Sequence, residues 1–202
     1  MPQRPTVLVF TASNSVDSIN RRFARHAATV LQDELAVPVE IVFDDLLRYD
    51  MPLYSPEREG GGIPQPAQDF YAAITAAQGL IFAFAEHNGS YTAAFKNLFD
   101  WTSRIDMKVY QDRPMVLLAT SPGKGGGRNV LKTATGAAPF FGGTVVGSHC
   151  VGPFSEAFDP STDRLVRPED ARALREAVLA LRDAMLLDPS PLNSKETDNQ
   201  NG

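Results

Sequence analysis

The sequence predicts an α/β domain: a five-stranded parallel sheet, in the order 2-1-3-4-5, sandwiched between two layers of helices. Three observations carry this. Strand-sized apolar runs alternate with segments of helical period, the pattern of a parallel sheet whose crossovers are helices. Three of those runs, VLVF (7–10), LIFAFA (80–85) and MVLLA (115–119), each break at the C-terminal end into a small-residue polar loop that leads into a helix. The first and third strands both end in such loops, and in a 2-1-3-4-5 sheet the switch point that receives ligands lies between them.

The elements follow in order. Residues 6–10 read as a strand buried on both faces. Residues 19–35 carry Phe23, Ala27, Val30, Leu31 and Leu35 at helical spacing. Residues 39–43 are short and β-branched, a second strand. The stretch 46–66 is rich in Pro and Gly and reads as a long functional connection. A helix is expected over 66–78, the third strand over 79–85, and a helix over 92–104 with Phe95, Leu98 and Phe99 on one side. Residues 115–120 form the fourth strand, 127–134 begin a helix, and 144–147 are the fifth strand. The last helix, 168–187, turns Leu174, Val178, Leu181 and Met185 inward. Pro168, Glu169 and Asp170 suit its first turn. No internal repeat or second domain is visible, so residues 1–187 read as one domain. The polar tail 188–202 reads as disordered.

Composition narrows the function. The chain has 202 residues, a formal net charge of -5 and 43% hydrophobic content. No Lys/Arg run offers a nucleic-acid or anionic-membrane patch. No apolar stretch reaches transmembrane length. The N-terminus enters a strand directly, without a signal-peptide pattern. Cys150 is the only cysteine, which excludes an intrachain disulfide and a cysteine-held cluster. His26, His87 and His149 show no metal-ligand spacing. The expectation is a cytoplasmic enzyme without a protein-bound metal.

The first loop, 11–20, places Thr11, Ser13, Asn14, Ser15, Ser18 and Asn20 ahead of a helix. Free N–H groups at a helix N-terminus bind phosphate without a lysine. Neither GxGxxG nor GxxxxGK[ST] is present, so a dinucleotide fingerprint and a P-loop are unsupported. Plain capping by Ser18 is the competing reading. The second loop, EHNGSY, gathers an acid, an imidazole and an amide, but Ser90 lacks the context of a nucleophile elbow. Asn88-Gly89 is a turn signal, and Gly89 would let the backbone approach a flat ligand. The third loop, TSPGKGGGR (120–128), is rigid at its start and rich in N–H groups. Lys124 and Arg128 are candidates for a phosphate that comes and goes; the alternative is a solvent loop with two surface cations.

Together these loops resemble the NAD(P)H-dependent FMN reductase family, which includes related azo, quinone and chromate reductases. The resemblance covers residues 7–159. TASNSVDSIN resembles the family's G-S-x-x-x-x-S-x-N phosphate loop through Ser13, Ser18 and Asn20, with Ala12 in place of Gly and Ser15 where Arg is common. AEHNGSYTAAFKNLFDW resembles P-E-Y-N-x-S…L-K-N…D-W through Glu86, Asn88, Ser90, Lys96, Asn97, Asp100 and Trp101. Ala85 there replaces Pro and His87 an aromatic residue. TSPGKGGGR resembles S-P-G-x-x-G-G-x-R, one residue shorter, and LRYDMPLYSPE resembles a D-L-P-L-Y stretch.

The resemblance implies a flavodoxin-like fold and FMN as cofactor, bound by Thr11, Ser13, Ser15, Ser18, Ile19, Asn20, Glu86, His87, Asn88, Gly89, Ser90, Ser121, Pro122, Gly123, Gly126 and Gly127. NADPH or NADH is the donor. The acceptor is a small molecule: free flavin, a quinone, an azo compound or a metal ion. The protein supplies binding and orientation, while the cofactor carries the chemistry. The glycines of the third loop are read as leaving room above the flavin ring: a side chain at Gly125 or Gly126 would obstruct that approach or strain a backbone at positive φ, and Gly126→Val is expected to slow reduction more than it harms the fold. Related reductases pair as homodimers or homotetramers. Tyr91, Phe95, Phe99 and Trp101 exceed what one inward face requires, which fits such an interface. Two other readings stay open: a non-enzymatic electron carrier, for which the chain lacks TxTGxT and a large acidic excess, and a flavin-free phosphate-binding domain.

Overall fold

The structure is a computed structural model and describes residues 4–187. The tail 188–202, expected to be disordered, lies outside the described residues.

Five strands form one parallel sheet: β1 (Thr6–Ala12), β2 (Glu40–Asp45), β3 (Gly79–Phe84), β4 (Pro114–Thr120) and β5 (Thr144–Val151). Their order is β2-β1-β3-β4-β5, as the sequence predicts. The interior strands alternate side chains between two apolar layers, so both faces are buried and the runs read as continuously hydrophobic. Val7, Val9, Ile81, Ala83, Val116 and Leu118 pack under helices α1 (Ile19–Thr29) and α5 (Pro168–Leu187). Leu8, Phe10, Leu80, Phe82 and Leu117 pack under α2 (Gln65–Ala76), α3 (Ala93–Thr102) and α4 (Arg128–Ala137). The second layer is aromatic, with Phe10 4.8 Å from Phe70 and 5.1 Å from Phe82 between ring centroids.

The helical stripes fall where the period places them. Phe23, Ala27, Val30 and Leu31 are buried, as are Leu174, Val178 and Leu181. Three details differ from expectation. Past Thr29 the first helix widens into a π turn, Val30–Glu34. The fifth strand runs on to Val151, four residues beyond its apolar start, because an edge strand half in solvent tolerates Ser148 and His149. The 46–66 connection is ordered by a 3-10 turn at Leu46–Arg48 and a helical turn at Pro56–Glu59, the latter capped by Ser55. Among the described residues no helix is long and apolar enough to cross a membrane, and no group of His, Cys, Asp and Glu could hold a metal ion.

Parallel topology puts the C-terminal ends of β1, β3 and β4 side by side, so the three polar loops emerge along one edge.

Candidate active site

The three loops enclose a cleft of about 290 Å³. Ser13, Ser15, Asp17, Ser18, Ile19 and Asn20 line it from the first loop, Ala85, Glu86 and His87 from the second, and Thr120, Ser121 and Pro122 from the third. Asp17, Ala85 and Thr120 were absent from the expected set. Each adjoins a named residue in sequence, which is the only signal that could have found them.

The first loop is shaped by its own hydroxyls. The Ser13 N–H donates to the Thr11 carbonyl at 2.9 Å, and the Ser15 N–H to Ser13 Oγ at 3.3 Å. Ser18 caps α1, its Oγ accepting from the Arg21 N–H at 3.3 Å. Capping and ligand binding are therefore compatible at this residue. The first turn contains no acid, and helix geometry leaves the N–H groups of Ile19 and Asn20 without an intrahelical acceptor. Asn20 has a second task. Its Nδ2 donates to the Thr120 carbonyl at 3.0 Å and its Oδ1 accepts from the Thr120 N–H at 2.9 Å. Both its polar atoms are thus committed to tying the first loop to the end of β4.

In the second loop, Glu86–His87 and Ser90–Tyr91 pair as a minimal antiparallel hairpin. Asn88 and Gly89 form its turn with φ of 51° and 77°, the positive values that a type I′ turn demands and that Asn-Gly accepts. Asn88, Gly89 and Ser90 are exposed and off the cleft wall. Glu86 faces the cleft, but its carboxylate caps α4: Oε2 accepts from the N–H groups of Asn129 and Val130, both at 2.9 Å.

The third loop divides in two. Gly123, Lys124 and Gly125 are exposed, whereas Gly126 and Gly127 are buried with φ of 61° and 80°. A Cβ on Gly126 would lie 2.7 Å from the carbonyl carbon of Val151, and one on Gly127 would lie 2.8 Å from the Ala119 Cβ. The expectation that Gly126 keeps space open above a ligand is corrected: it and Gly127 are small because the loop packs on the ends of β4 and β5. Room for a ligand remains at Gly123 and Gly125. Lys124 and Arg128 are exposed, and neither forms an ion pair among the described residues.

Two further motif residues serve the connection after β2. Asn97 Oδ1 accepts from the Tyr54 N–H at 2.8 Å while its Nδ2 donates to the Pro52 carbonyl at 3.2 Å. Trp101 Nε1 donates to the same carbonyl at 2.7 Å. The apolar excess predicted on this helix also resolves: Phe95 and Trp101 are core residues, each 1% exposed, and only Tyr91 and Phe99 stay partly open.

Burial pushes the Tyr91 phenol up to about 12 and raises the Cys150 thiol, so both stay protonated. The site offers hydroxyls, N–H groups and shape.

Comparison with known proteins agrees with that chemistry. The family model for NADPH-dependent FMN reductase matches residues 5–157. The chain belongs to that family. It is a flavin-dependent NAD(P)H oxidoreductase with FMN as its cofactor. Among FMN reductase relatives, the probable NADPH:quinone oxidoreductase 2 of Oryza sativa subsp. japonica is 27% identical, the alignment covering 96% of each chain. The NAD(P)H-dependent FMN reductase PA1204 of Pseudomonas aeruginosa is 34% identical over 38% of this chain and 41% of its own. Among solved structures, FerB, a flavoenzyme NAD(P)H:(acceptor) oxidoreductase from Paracoccus denitrificans, superposes with a TM-score of 0.68 at 20% identity, covering 91% of this chain and 98% of FerB.

The donor set of the cleft fits FMN. A single helix N-terminus with flanking serines provides for one phosphate and not two. On the adjoining walls from the second and third loops Glu86 is the only carboxylate, and its charge is spent on α4.

Proposed function

We propose that the cleft holds FMN and that the acceptor is a quinone. In this reading Ser13, Ser15, Ser18 and the N–H groups of Ile19 and Asn20 take the phosphate. Ala85, His87, Ser121 and Pro122 flank the ring. Asn20 and Glu86 act as clamps that hold the walls together. The convergence of three hydroxyl- and N–H-rich loops on one helix N-terminus carries the reading, because it supplies an anion site and a flat neutral slot within a single cleft. Bound FMN supplies two-electron redox chemistry between NAD(P)H and the acceptor. The protein's share is to orient both partners and to exclude competing reactions.

Lys124 and Arg128 are the proposed partners of the 2′-phosphate, which makes NADPH the preferred donor. They are exposed, uncommitted to carboxylates and next to the open glycines. The quinone is favoured over other acceptors by the names of relatives, including an NADPH:quinone oxidoreductase from Arabidopsis thaliana that is 34% identical over 51% of this chain. A cytoplasmic location suits a consumer of NADPH. We also propose a homodimer, built on the apolar groove of about 320 Å³ between α3 and α4, where Tyr91, Phe99 and Phe141 are partly open and Met107 is exposed.

The deciding experiment titrates FMN into purified protein by fluorescence, then follows NADPH and NADH oxidation with free FMN, a benzoquinone and an azo dye in parallel. Tight FMN binding with fastest turnover on NADPH and quinone supports the proposal. A protein that binds FMN but oxidises neither nucleotide is an electron carrier, and the proposal fails. Light scattering at micromolar concentration tests the dimer.

A further inference from the structure

The side chain of Arg21, in the first turn of α1, has no part in the site described so far. Its guanidinium is nevertheless the most connected group near the cleft. Nε donates to Asp45 Oδ2 at 3.2 Å, and Nη2 lies 2.9 Å from the same oxygen. Nη1 donates to the Val16 carbonyl, and Nη2 to the Ser15 carbonyl at 3.3 Å. The anchor is rigid. Asp45 closes β2 in register with Thr11 of β1, and its Oδ1 accepts from the Leu47 N–H at 2.9 Å.

The grip has a consequence for the loop. In a trans peptide the carbonyl and the following N–H point in opposite directions. Holding the carbonyls of Ser15 and Val16 on Arg21 therefore turns the N–H groups of Val16 and Asp17 away from it. Neither N–H has an acceptor among the described residues. The loop also contains no Lys or Arg of its own and does contain Asp17, a carboxylate on the cleft wall. An anion site of this kind, without a cation of its own, needs its N–H groups fixed outward.

We propose that Arg21, held by Asp45, is the positioning residue of the phosphate loop: it draws two carbonyls back so that the loop's N–H groups face the phosphate of FMN. This rests on the FMN reading given above. Its signature is selectivity for the phosphate, since the loop would meet that group and not the ring.

The test compares FMN with riboflavin, which has the same ring and ribityl chain but no phosphate, by fluorescence titration of apo-protein. Wild type should prefer FMN. Arg21→Met should raise the FMN Kd about tenfold or more while the riboflavin Kd stays within about twofold, as expected when the charge-assisted bonds that hold the phosphate loop in place are lost. Arg21→Lys should recover only a minor part, because a single ammonium cannot bridge Asp45 and two carbonyls. Asp45→Asn is the second variant. It keeps an oxygen for the Leu47 N–H and removes the acceptor that Arg21 uses, so the preference for FMN over riboflavin should shrink by about threefold or more.

Parallel loss of both ligands in Arg21→Met would make Arg21 a general support of the cleft and overturn the proposal, as would an unchanged preference. A stronger preference for FMN in Asp45→Asn would show that bare charge, and not loop geometry, governs the site, and would overturn it too. Wild type that binds FMN no better than riboflavin would reject the phosphate reading itself, and this proposal with it.

Discussion

Asn20 and Thr120 stand 100 positions apart in the chain and share two hydrogen bonds: the amide of Asn20 both donates to and accepts from the main chain of Thr120, at 3.0 and 2.9 Å. Both residues are buried, at 2% and 1% exposure. Removing the amide strands a buried N–H and a buried C=O, each costing about 1–3 kcal/mol. Asn20→Ala should therefore lose about 2–4 kcal/mol, and Tm should fall by about 2–4 °C per kcal/mol for a domain of this size. Asn20→Asp should do worse, because its carboxylate meets the Thr120 carbonyl without a donor. Thermal unfolding of the two variants measures this; an Asp variant as stable as wild type would contradict the geometry.

Glu86 caps α4 from the second loop. Glu86→Ala should cost about 1–2 kcal/mol by freeing the N–H groups of Asn129 and Val130. Glu86→Gln should recover part of that, since an amide oxygen still accepts. Amide exchange is the sensitive probe: protection at Asn129 and Val130 should drop in Glu86→Ala and not elsewhere in α4. Uniform loss across the helix would point to a different role.

The two halves of the glycine loop should separate experimentally. Gly126→Val forces a Cβ against the main chain of Val151 at a positive φ and should cost about 3 kcal/mol or more, or prevent folding. Around Gly125 only an Arg128 Nε lies within reach of an added Cβ, at 4.0 Å. Gly125→Val should leave stability within about 0.5 kcal/mol while slowing NADPH-dependent reduction of bound FMN in stopped flow. Equal reduction rates in that variant and wild type would move the nicotinamide away from this loop.

His26 gives the fold a pH dependence. It is buried beside Phe158, ring centroids 6.1 Å apart. Burial lowers its pKa below the ordinary 6.5; Glu34 opposes that shift and Arg164 adds to it. The unfolded chain then takes up a proton before the folded one does. Stability from this residue is complete above about pH 6.5 and declines as pH falls further. Wild type should lose Tm between about pH 7 and pH 5 more steeply than His26→Leu. Identical slopes would assign the loss to other groups.

The sheet and its helices were legible because they obey simple periods. Buried strands such as β3 and β4 are continuous apolar runs, and α5 repeats its core residues Leu174, Val178 and Leu181 every three or four positions. The signal weakens where burial is partial, as in β5 beyond Gly147. In the site, the loops themselves were legible, since serines, glycines and turn dipeptides act locally. The tasks of Asn20, Glu86, Asn97 and Trp101 were not. A side chain that binds a distant main chain leaves no mark in the sequence of its partner. Gly126 is the converse case: its need for small size came from Val151 and Gly152, which meet it only through the fold.

That same property sets how the site can be altered. The amide of Asn20, the carboxylate of Glu86, the amide of Asn97 and the indole of Trp101 all hold peptide groups, and only Glu86 among them also accepts from a side chain, the Asn129 amide at 3.3 Å. Peptide groups are the same at every position, so the clamps are indifferent to which amino acid they hold, proline excepted where an N–H is needed. Pro52 and Asn129 can be rewritten while the walls stay in place; Thr120 and Tyr54 are kept, because the Thr120 hydroxyl donates to the Val151 carbonyl and the Tyr54 hydroxyl to Glu59, both at 2.8 Å. A library that varies Pro52 and Asn129 with 121–125, and leaves the four clamping side chains untouched, would redesign the acceptor's surroundings without rebuilding the frame.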